Sequence, residues 1–261
     1  MVATRGCRGP PGYGDGVTLR PGSPGAPLWD PDATPAATVV VVRDAEDGPE
    51  VLLLRRAKDL SFAGGMWVFP GGRIDAADFA PDDDPAAPAA REAAARRAAV
   101  REAAEEAGLV IDDAALRRWT HWTPPPRADN RFATAFFVAV VDDSAGTVTI
   151  DDGEIRDHRW MRPADAIAAR DAGEIGLAPP TYVTLVQVGA CGRAAEVLDA
   201  APDGAPEHFA TRFGVVGNDV VATYFGDVAY ETELTADDLG APGARHRLVM
   251  GGTWSYVREV P

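Results

Sequence analysis

Cysteine is scarce: Cys7 and Cys191 are the two in 261 residues. Two cannot form a disulfide framework, so a buried core must hold the fold, and a reducing, cytoplasmic setting is expected. Long apolar runs are also missing. No stretch approaches the roughly 18 apolar residues that a membrane-spanning helix needs, so no membrane partner is expected. The first residues contain no apolar core of signal-peptide type, and secretion is not expected. Basic charge is in deficit, with 25 Lys and Arg against 40 Asp and Glu and a net charge of −15. Such a surface repels a phosphate backbone and excludes nucleic-acid binding through a broad basic patch. It does not exclude small phosphorylated substrates, because a bound divalent cation inverts the local sign. Histidine is sparse as well. His121, His158, His208 and His246 have no metal-ligand spacing and no nucleophile nearby, so structural or surface roles are expected.

Hydrophobic residues make up 46% of the chain, enough to bury a substantial core. Residues 1–35 hold seven glycines and seven prolines with few large apolar side chains, and are expected to remain unpacked. The β-branched run Ala37 to Asp44 and the run Val51 to Ala57, joined by Asp-Gly-Pro at 47–49, predict a strand pair. A short strand is expected near Met66 to Phe69, and others at Arg131 to Val141, at Thr147 to Asp151 and from His158. Strong helix formers fill residues 89–107, and Gly108 stands where a C-cap belongs. Shorter helices are expected over Ala164 to Gly173 and Tyr182 to Gly192, the latter capped by Thr181. The last sixty or so residues read as β-rich.

The long helix carries Glu102, Glu105 and Glu106 on one face, at positions i, i+3 and i+4. Three like charges repel, and they lie near the negative end of the helix dipole. Two explanations stand. The residues form a solvated face partnered by Arg96, Arg97 and Arg101, or they hold a divalent cation, whose hard character suits carboxylate oxygens. A near-copy ten residues earlier, Arg91-Glu92-Ala-Ala-Ala, lacks the Glu-Glu pair and the closing glycine, and is assigned to surface.

Upstream stands FPGGRIDAAD, with Gly72 followed after five residues by Asp78. Arg101-Glu102-Ala103-Ala104-Glu105-Glu106-Ala107-Gly108-Leu109 then closes the pattern. Together these resemble the Nudix box: Gly, five residues, Glu, seven residues, then Arg-Glu-aliphatic-x-Glu-Glu-x-Gly-aliphatic. Here Asp78 replaces the first Glu, and 22 residues separate it from Arg101. The chain is similar to Nudix hydrolases of the acyl-coenzyme A diphosphatase branch, in which the box is interrupted. LLLRRA, HWTPPPRADNRFATAFFVA and RWMRPADAIAARDAGEIGLAPPTYVTL extend that likeness, and FGD at 225–227 and RHR at 245–247 continue it faintly. Gly64-Gly65-Met66 stands where some relatives have a Gly-Glu pair before the FPGG strand.

The resemblance implies an α/β fold: a mixed β-sheet sandwiched between helices (α/β/α), with a C-terminal β-rich extension. It places a Nudix domain at 36–190, with an inserted loop and helix at about 79–95, and the extension at 191–261. It implies hydrolysis of the pyrophosphate in a nucleoside diphosphate conjugate, with Mg²⁺ or Mn²⁺ as cofactor. Glu102, Glu105 and Glu106 would be metal ligands or the proton acceptor, with the Gly71 or Gly72 carbonyl completing the coordination and Arg101 orienting the helix through Asp78. A further acid is expected at Glu154, with Asp151 and Asp152 as competitors. Arg55, Arg56, Phe69 and Arg131 are candidates for substrate contact, and Trp67, Trp122 and Phe132 for base stacking. Coenzyme A or acyl-coenzyme A is the leading substrate; ADP-ribose, NADH, nucleotide sugars and a silent nucleotide-binding domain are the alternatives. A homodimer is compatible with this class.

Overall fold

The computed structural model describes residues 28–259 apart from 61, 127, 129, 143, 144, 151, 152, 233 and 241. Cys7, Asp151, Asp152 and most of the glycine- and proline-rich N-terminal stretch therefore lie outside the described residues. Among the described residues no helix is long and apolar enough to cross a membrane.

The first strand, β1 (Thr34–Ala45), begins inside the stretch expected to stay unpacked. It pairs in parallel with β6 (Phe132–Val140) from Thr34 to Val42 and turns tightly into β2 (Gly48–Arg56). Further strands are β3 (Trp67–Val68), β4 (Gly71–Arg73), β5 (Arg117–Thr123), β7 (Ile155–Met161) and β8 (Glu207–Ala210). All eight form one mixed sheet, in the order β3-β2-β1-β6-β5-β8, with β4 added to β1 and β7 to β2.

The sheet has two apolar faces because side chains alternate along a strand. Val39, Val41, Leu52, Leu54 and Phe137 point to one face, which α1 (Pro88–Ala107) covers. Val40, Val42, Val51, Leu53 and Phe136 point to the other. There lie α2 (Pro163–Asp171), α3 (Pro179–Gly189) and α4 (Ala194–Ala200). The expected α/β/α layering is present. The last residues build a second, antiparallel sheet in the order β12-β11-β10-β9. Its strands are β9 (Arg212–Val216), β10 (Asp219–Thr223), β11 (Arg245–Met250) and β12 (Trp254–Glu259), with α5 (Ala236–Gly240) between β10 and β11. Ala222, Tyr224, Leu248 and Tyr256 join Trp122 and Phe209 in one hydrophobic cluster, so this sheet shares the main core.

Two sequence expectations are corrected here, and one strand is added. Thr181 is not a cap but a buried residue inside α3, which starts two residues earlier. Its two prolines fit the first turn, where no N–H donor is required. Residues 147–150 do not form a strand. Thr149 instead donates its N–H to the Ala107 carbonyl at 2.9 Å, satisfying the C-terminus of α1. Strand β5 was not expected, because Arg118, Thr120, His121 and Thr123 are polar yet buried.

Candidate functional site

The site forms where the sheet opens. Strands β1 and β2 pair through Val42↔Val51 and then diverge. Beyond that point β4 takes the vacated edge of β1 at Ala36 to Thr38, and β3 pairs with β2 at Leu54 and Arg55. Val39 donates its N–H to the Pro70 carbonyl at 2.9 Å, which threads the FPGG turn into the gap. A Cβ at Gly71 would stand 2.5 Å from the Ala37 carbonyl oxygen, so glycine is what lets the turn lie against β1.

Helix α1 lays a stripe of alanines (Ala94, Ala95, Ala98, Ala99, Ala103 and Ala107) on the sheet. Gly108, at φ 66°, closes it in the left-handed conformation. The small side chains bring the last turns of α1 down onto the Gly71–Gly72 backbone. There the buried Glu106 accepts the Gly71 N–H at 2.9 Å through Oε2. Burial pushes its carboxyl up to about 8, with Glu102 and Glu154 adding repulsion and Gly71 and Arg56 opposing it. Glu102 is also raised by burial, against the pull of Arg101. Its carboxylate rests where a Cβ on Gly72 would fall. Glu105 is more exposed and accepts from Arg101 at 2.9 Å.

Arg101 organises the helix. Its Nε and Nη2 fork onto Asp78 at 3.2 and 3.1 Å, and its Nη1 reaches Glu102 at 2.8 Å. Asp78 is 4% exposed, and its Oδ2 also accepts the Asp75 N–H at 2.8 Å. The shorter acid therefore makes the bidentate contact, because a short 3-10 turn, Ala76–Asp78, carries it towards α1. The insertion that follows is a loop over 79–87 and the first turns of α1. Arg96 and Arg97 do not partner the glutamates. Arg96 donates to the Leu116 carbonyl at 3.0 Å, and Arg97 to the Asp78 carbonyl and to Asp83 at 3.1 Å.

The other sequence candidates divide. Arg56 faces the α1 side of β2 and bridges Glu106 at 3.6 Å and Glu154 at 3.1 Å, so the structure brings Arg56 and Glu154 to the carboxylates. Arg55, on the opposite face, sits over the Trp67 ring near Asp157. Phe69 is 3% exposed and packs edge-on against Phe136 in the core, presenting no face to a ligand. Trp67 and Trp122 are buried too. Arg131 spends its guanidinium on Asp30 at 2.6 Å and on the Pro124 and Pro125 carbonyls. His121, His208 and His246 are buried, and burial holds each imidazole below its usual range.

Phe132 pairs with Phe62 at 4.9 Å between ring centroids, and Arg73 lies 5.9 Å above the Phe132 ring. Phe62 is 45% exposed, and its carbonyl accepts from Arg56 Nε. Sequence reading missed Phe62. Its one signal was an aromatic residue in the loop between β2 and β3, just before the small residues Ala63 to Gly65.

Among the described residues, no group of three or more His, Cys, Asp or Glu side chains is already arranged to hold a metal ion. The cause is visible: Arg101 draws Glu102 and Glu105 towards itself, while Glu106 turns to Gly71. The donor set nevertheless fits a hard divalent cation. It offers carboxylate oxygens, a glycine backbone with room beside it, and a buried negative charge that the protein leaves poorly balanced.

The two glycines should respond differently to alanine. Gly72→Ala meets only the mobile end of Glu102, so stability should change by less than about 1 kcal/mol while activity falls roughly tenfold to a hundredfold. Gly71→Ala meets the backbone of β1 and should cost about 2 kcal/mol or more. Urea unfolding beside an activity assay separates the two; equal stability loss in both variants would contradict this geometry.

A family profile described as the NUDIX domain matches residues 33–181. The chain is 32% identical over 85 residues to an acyl-coenzyme A diphosphatase of Gallus gallus, covering 31% of this chain and 22% of that protein. It is 24% identical over 163 residues to a Caenorhabditis elegans protein named as a nudix hydrolase, covering 53% of this chain and 55% of the other. The chain thus spans about half or less of the length of these curated relatives. Among solved structures, a NUDIX hydrolase from Alicyclobacillus acidocaldarius aligns with a TM-score of 0.56 at 26% identity, covering 66% of this chain and 98% of that one. The split sheet, the α1 carboxylates over the Gly71–Gly72 turn, and a match to more than half of the sequence agree: the chain belongs to the NUDIX family and has its fold.

Proposed function

We propose that this protein is a divalent-metal-dependent pyrophosphohydrolase acting on a nucleoside diphosphate conjugate of coenzyme A or acyl-coenzyme A type. The observation that carries this reading is the set of Glu102, Glu105 and Glu106 at the end of α1, closed onto the Gly71–Gly72 backbone and braced by the Arg101–Asp78 fork. Glu102, Glu105 and Glu106 would hold Mg²⁺ or Mn²⁺, with a glycine carbonyl of the turn and Glu154 as further donors. A cation held there supplies positive charge for the pyrophosphate oxygens and acidifies an attacking water.

The chain's own residues do the remainder. Arg101 fixes the pitch of the last helical turns by locking to Asp78, which sets where the carboxylates point. One of the three α1 glutamates would accept the proton of the attacking water instead of ligating. Arg56 neutralises part of the acidic cluster, easing the repulsion between Glu106 and Glu154. Phe62 and Phe132, with Arg73 beside them, offer an aromatic surface for a purine base near the glycine turn. The likeness to an acyl-coenzyme A diphosphatase supports the choice of conjugate.

The test is a substrate panel with Mg²⁺ or Mn²⁺, products read by mass. Coenzyme A compounds should release 3′,5′-ADP while ADP-ribose, NADH and nucleotide sugars remain largely intact. Preferential cleavage of those others would transfer the assignment to them, and tight binding with no turnover of any compound would replace the enzyme by a nucleotide-binding module.

A further inference from the structure

A cavity of about 830 Å³ lies beside the first turns of α1, between that helix, the start of β5 and the loop at 202–206. The α1 lining residue nearest the carboxylates, Arg96, is six residues before Glu102, roughly 9 Å along the helix at 1.5 Å per residue. Four arginines line it, Arg91, Arg96, Arg117 and Arg118, against two carboxylates, Glu92 and Asp203. In a chain carrying a net charge of −15 such a local excess of cations is unexpected. Arg91 and Glu92 belong to the near-copy of the glutamate motif, which sequence reading assigned to plain surface.

Arg118 forms part of the wall and is 7% exposed. It shares one hydrogen bond with His121, Nη2 to Nδ1 at 2.8 Å, while Glu92 stays 3.7 Å from its Nε. Its Nε and Nη1 are buried without hydrogen-bond partners among the described residues. Burial pulls the Arg118 guanidinium down to about 10, so its charge is under-compensated. Leaving such donors unpaired is costly, and native proteins rarely do so without a ligand or water to complete them. Helix α1 adds to the positive potential. Pro88, its first residue, is on the cavity rim, and its N-terminus has neither a side-chain cap nor an acidic residue in its first turn.

We propose that this cavity is a second anion site, which binds the phosphate group of a small phosphorylated molecule independently of the α1 carboxylates. The volume admits a nucleotide-sized ligand. Arg117 is exposed and Arg91 half-buried, so both can reach the ligand without disturbing the core, and Arg118 supplies the fixed charge at the back.

The experiment titrates inorganic phosphate into the full chain in EDTA, followed by calorimetry and by NMR of the tryptophan indole N–H signals. Trp29 lines the cavity and stacks edge-on against His121 at 4.9 Å, so its signal, identified through Trp29→Phe, should move on phosphate addition. Arg91→Ser/Arg117→Ser should weaken phosphate binding about tenfold or more. Glu106→Gln should leave it unchanged, which keeps this result separable from the hydrolytic reading. An unmoved Trp29 signal at about 20 mM phosphate, equal affinity in the double arginine variant, or loss of binding in Glu106→Gln would each overturn the proposal.

Discussion

Glu106→Gln should give a folded protein whose pyrophosphate hydrolysis falls by about three orders of magnitude or more, and whose metal-free form is more stable than the parent. The two effects share a cause. Glutamine keeps the shape of the side chain and an oxygen to accept the Gly71 N–H, so the turn and the helix end stay together. It removes the negative charge, and with it one oxygen donor for a cation and one candidate proton acceptor, which is the scale of loss seen when a metal site is broken. The stability gain follows from linkage. The Glu106 carboxyl lies at about 8 when folded, above the 4.5 that serves as its unfolded reference. Between those values the native state holds the proton more tightly than the unfolded chain does. Stability of the parent therefore falls as pH rises from about 4.5 to about 8, and the deficit persists above that. Glutamine does not titrate, so its curve lacks that slope, and the gap should reach roughly 2–4 kcal/mol at the upper end. Urea unfolding in EDTA at both ends of the window measures it. Saturating Mg²⁺ should narrow the gap by stabilising the parent alone. A variant with near-normal turnover would remove Glu106 from the site.

Legibility in the sequence followed how local each signal was. Helix α1 was placed within a residue of its bounds, because Ala, Arg and Glu set its interior and Gly108 its end. Strands β1, β2 and β6 were legible through β-branched and aromatic runs that the sheet buries on both faces. Strand β5 escaped, since burying Arg118 and His121 depends on partners far away in sequence. Strand β8, Glu207–Ala210, lay within the tail read as β-rich, but its place in the main sheet was not legible, because that rests on pairing with β5 at the sheet edge. The same distinction governs the site. The glutamates, Arg101 and the two glycines stand in two short segments, and the motif names them together. What the sequence could not decide was direction: Arg55 and Arg56 are neighbours, yet the pleat sends one towards Trp67 and the other to Glu106. Arg131 looked free for substrate, but Asp30, a hundred residues away, holds it.

Asp227→Ala should be among the most destabilising single changes in the C-terminal region, costing about 3–5 kcal/mol. FGD and RHR were the faintest part of the family likeness, and the structure gives them a concrete role. Asp227 Oδ1 and Oδ2 receive the Arg247 guanidinium, Nη2 and Nε each at 2.7 Å, and both side chains are almost fully buried, at 0% and 2% exposure. The same carboxylate accepts the backbone N–H of Ala229 and of His246, each at 2.9 Å. Alanine would leave a buried guanidinium with the Asp238 carbonyl as its remaining acceptor, and two backbone donors without their partner. The penalty is for the orphaned charge more than for the lost attraction. Asp227→Ala/Arg247→Leu should therefore recover 1 kcal/mol or more relative to Asp227→Ala, because burying no charge is cheaper than burying one unpaired. Chemical unfolding of the three proteins supplies the cycle. Tyr224 and Tyr256 share their cluster with Trp122 and Phe209 of the main sheet, so each variant should unfold in one transition with a lowered midpoint. A separate early transition confined to the C-terminal residues would show instead that the second sheet melts by itself, and that the pair at Asp227 and Arg247 secures only that sheet.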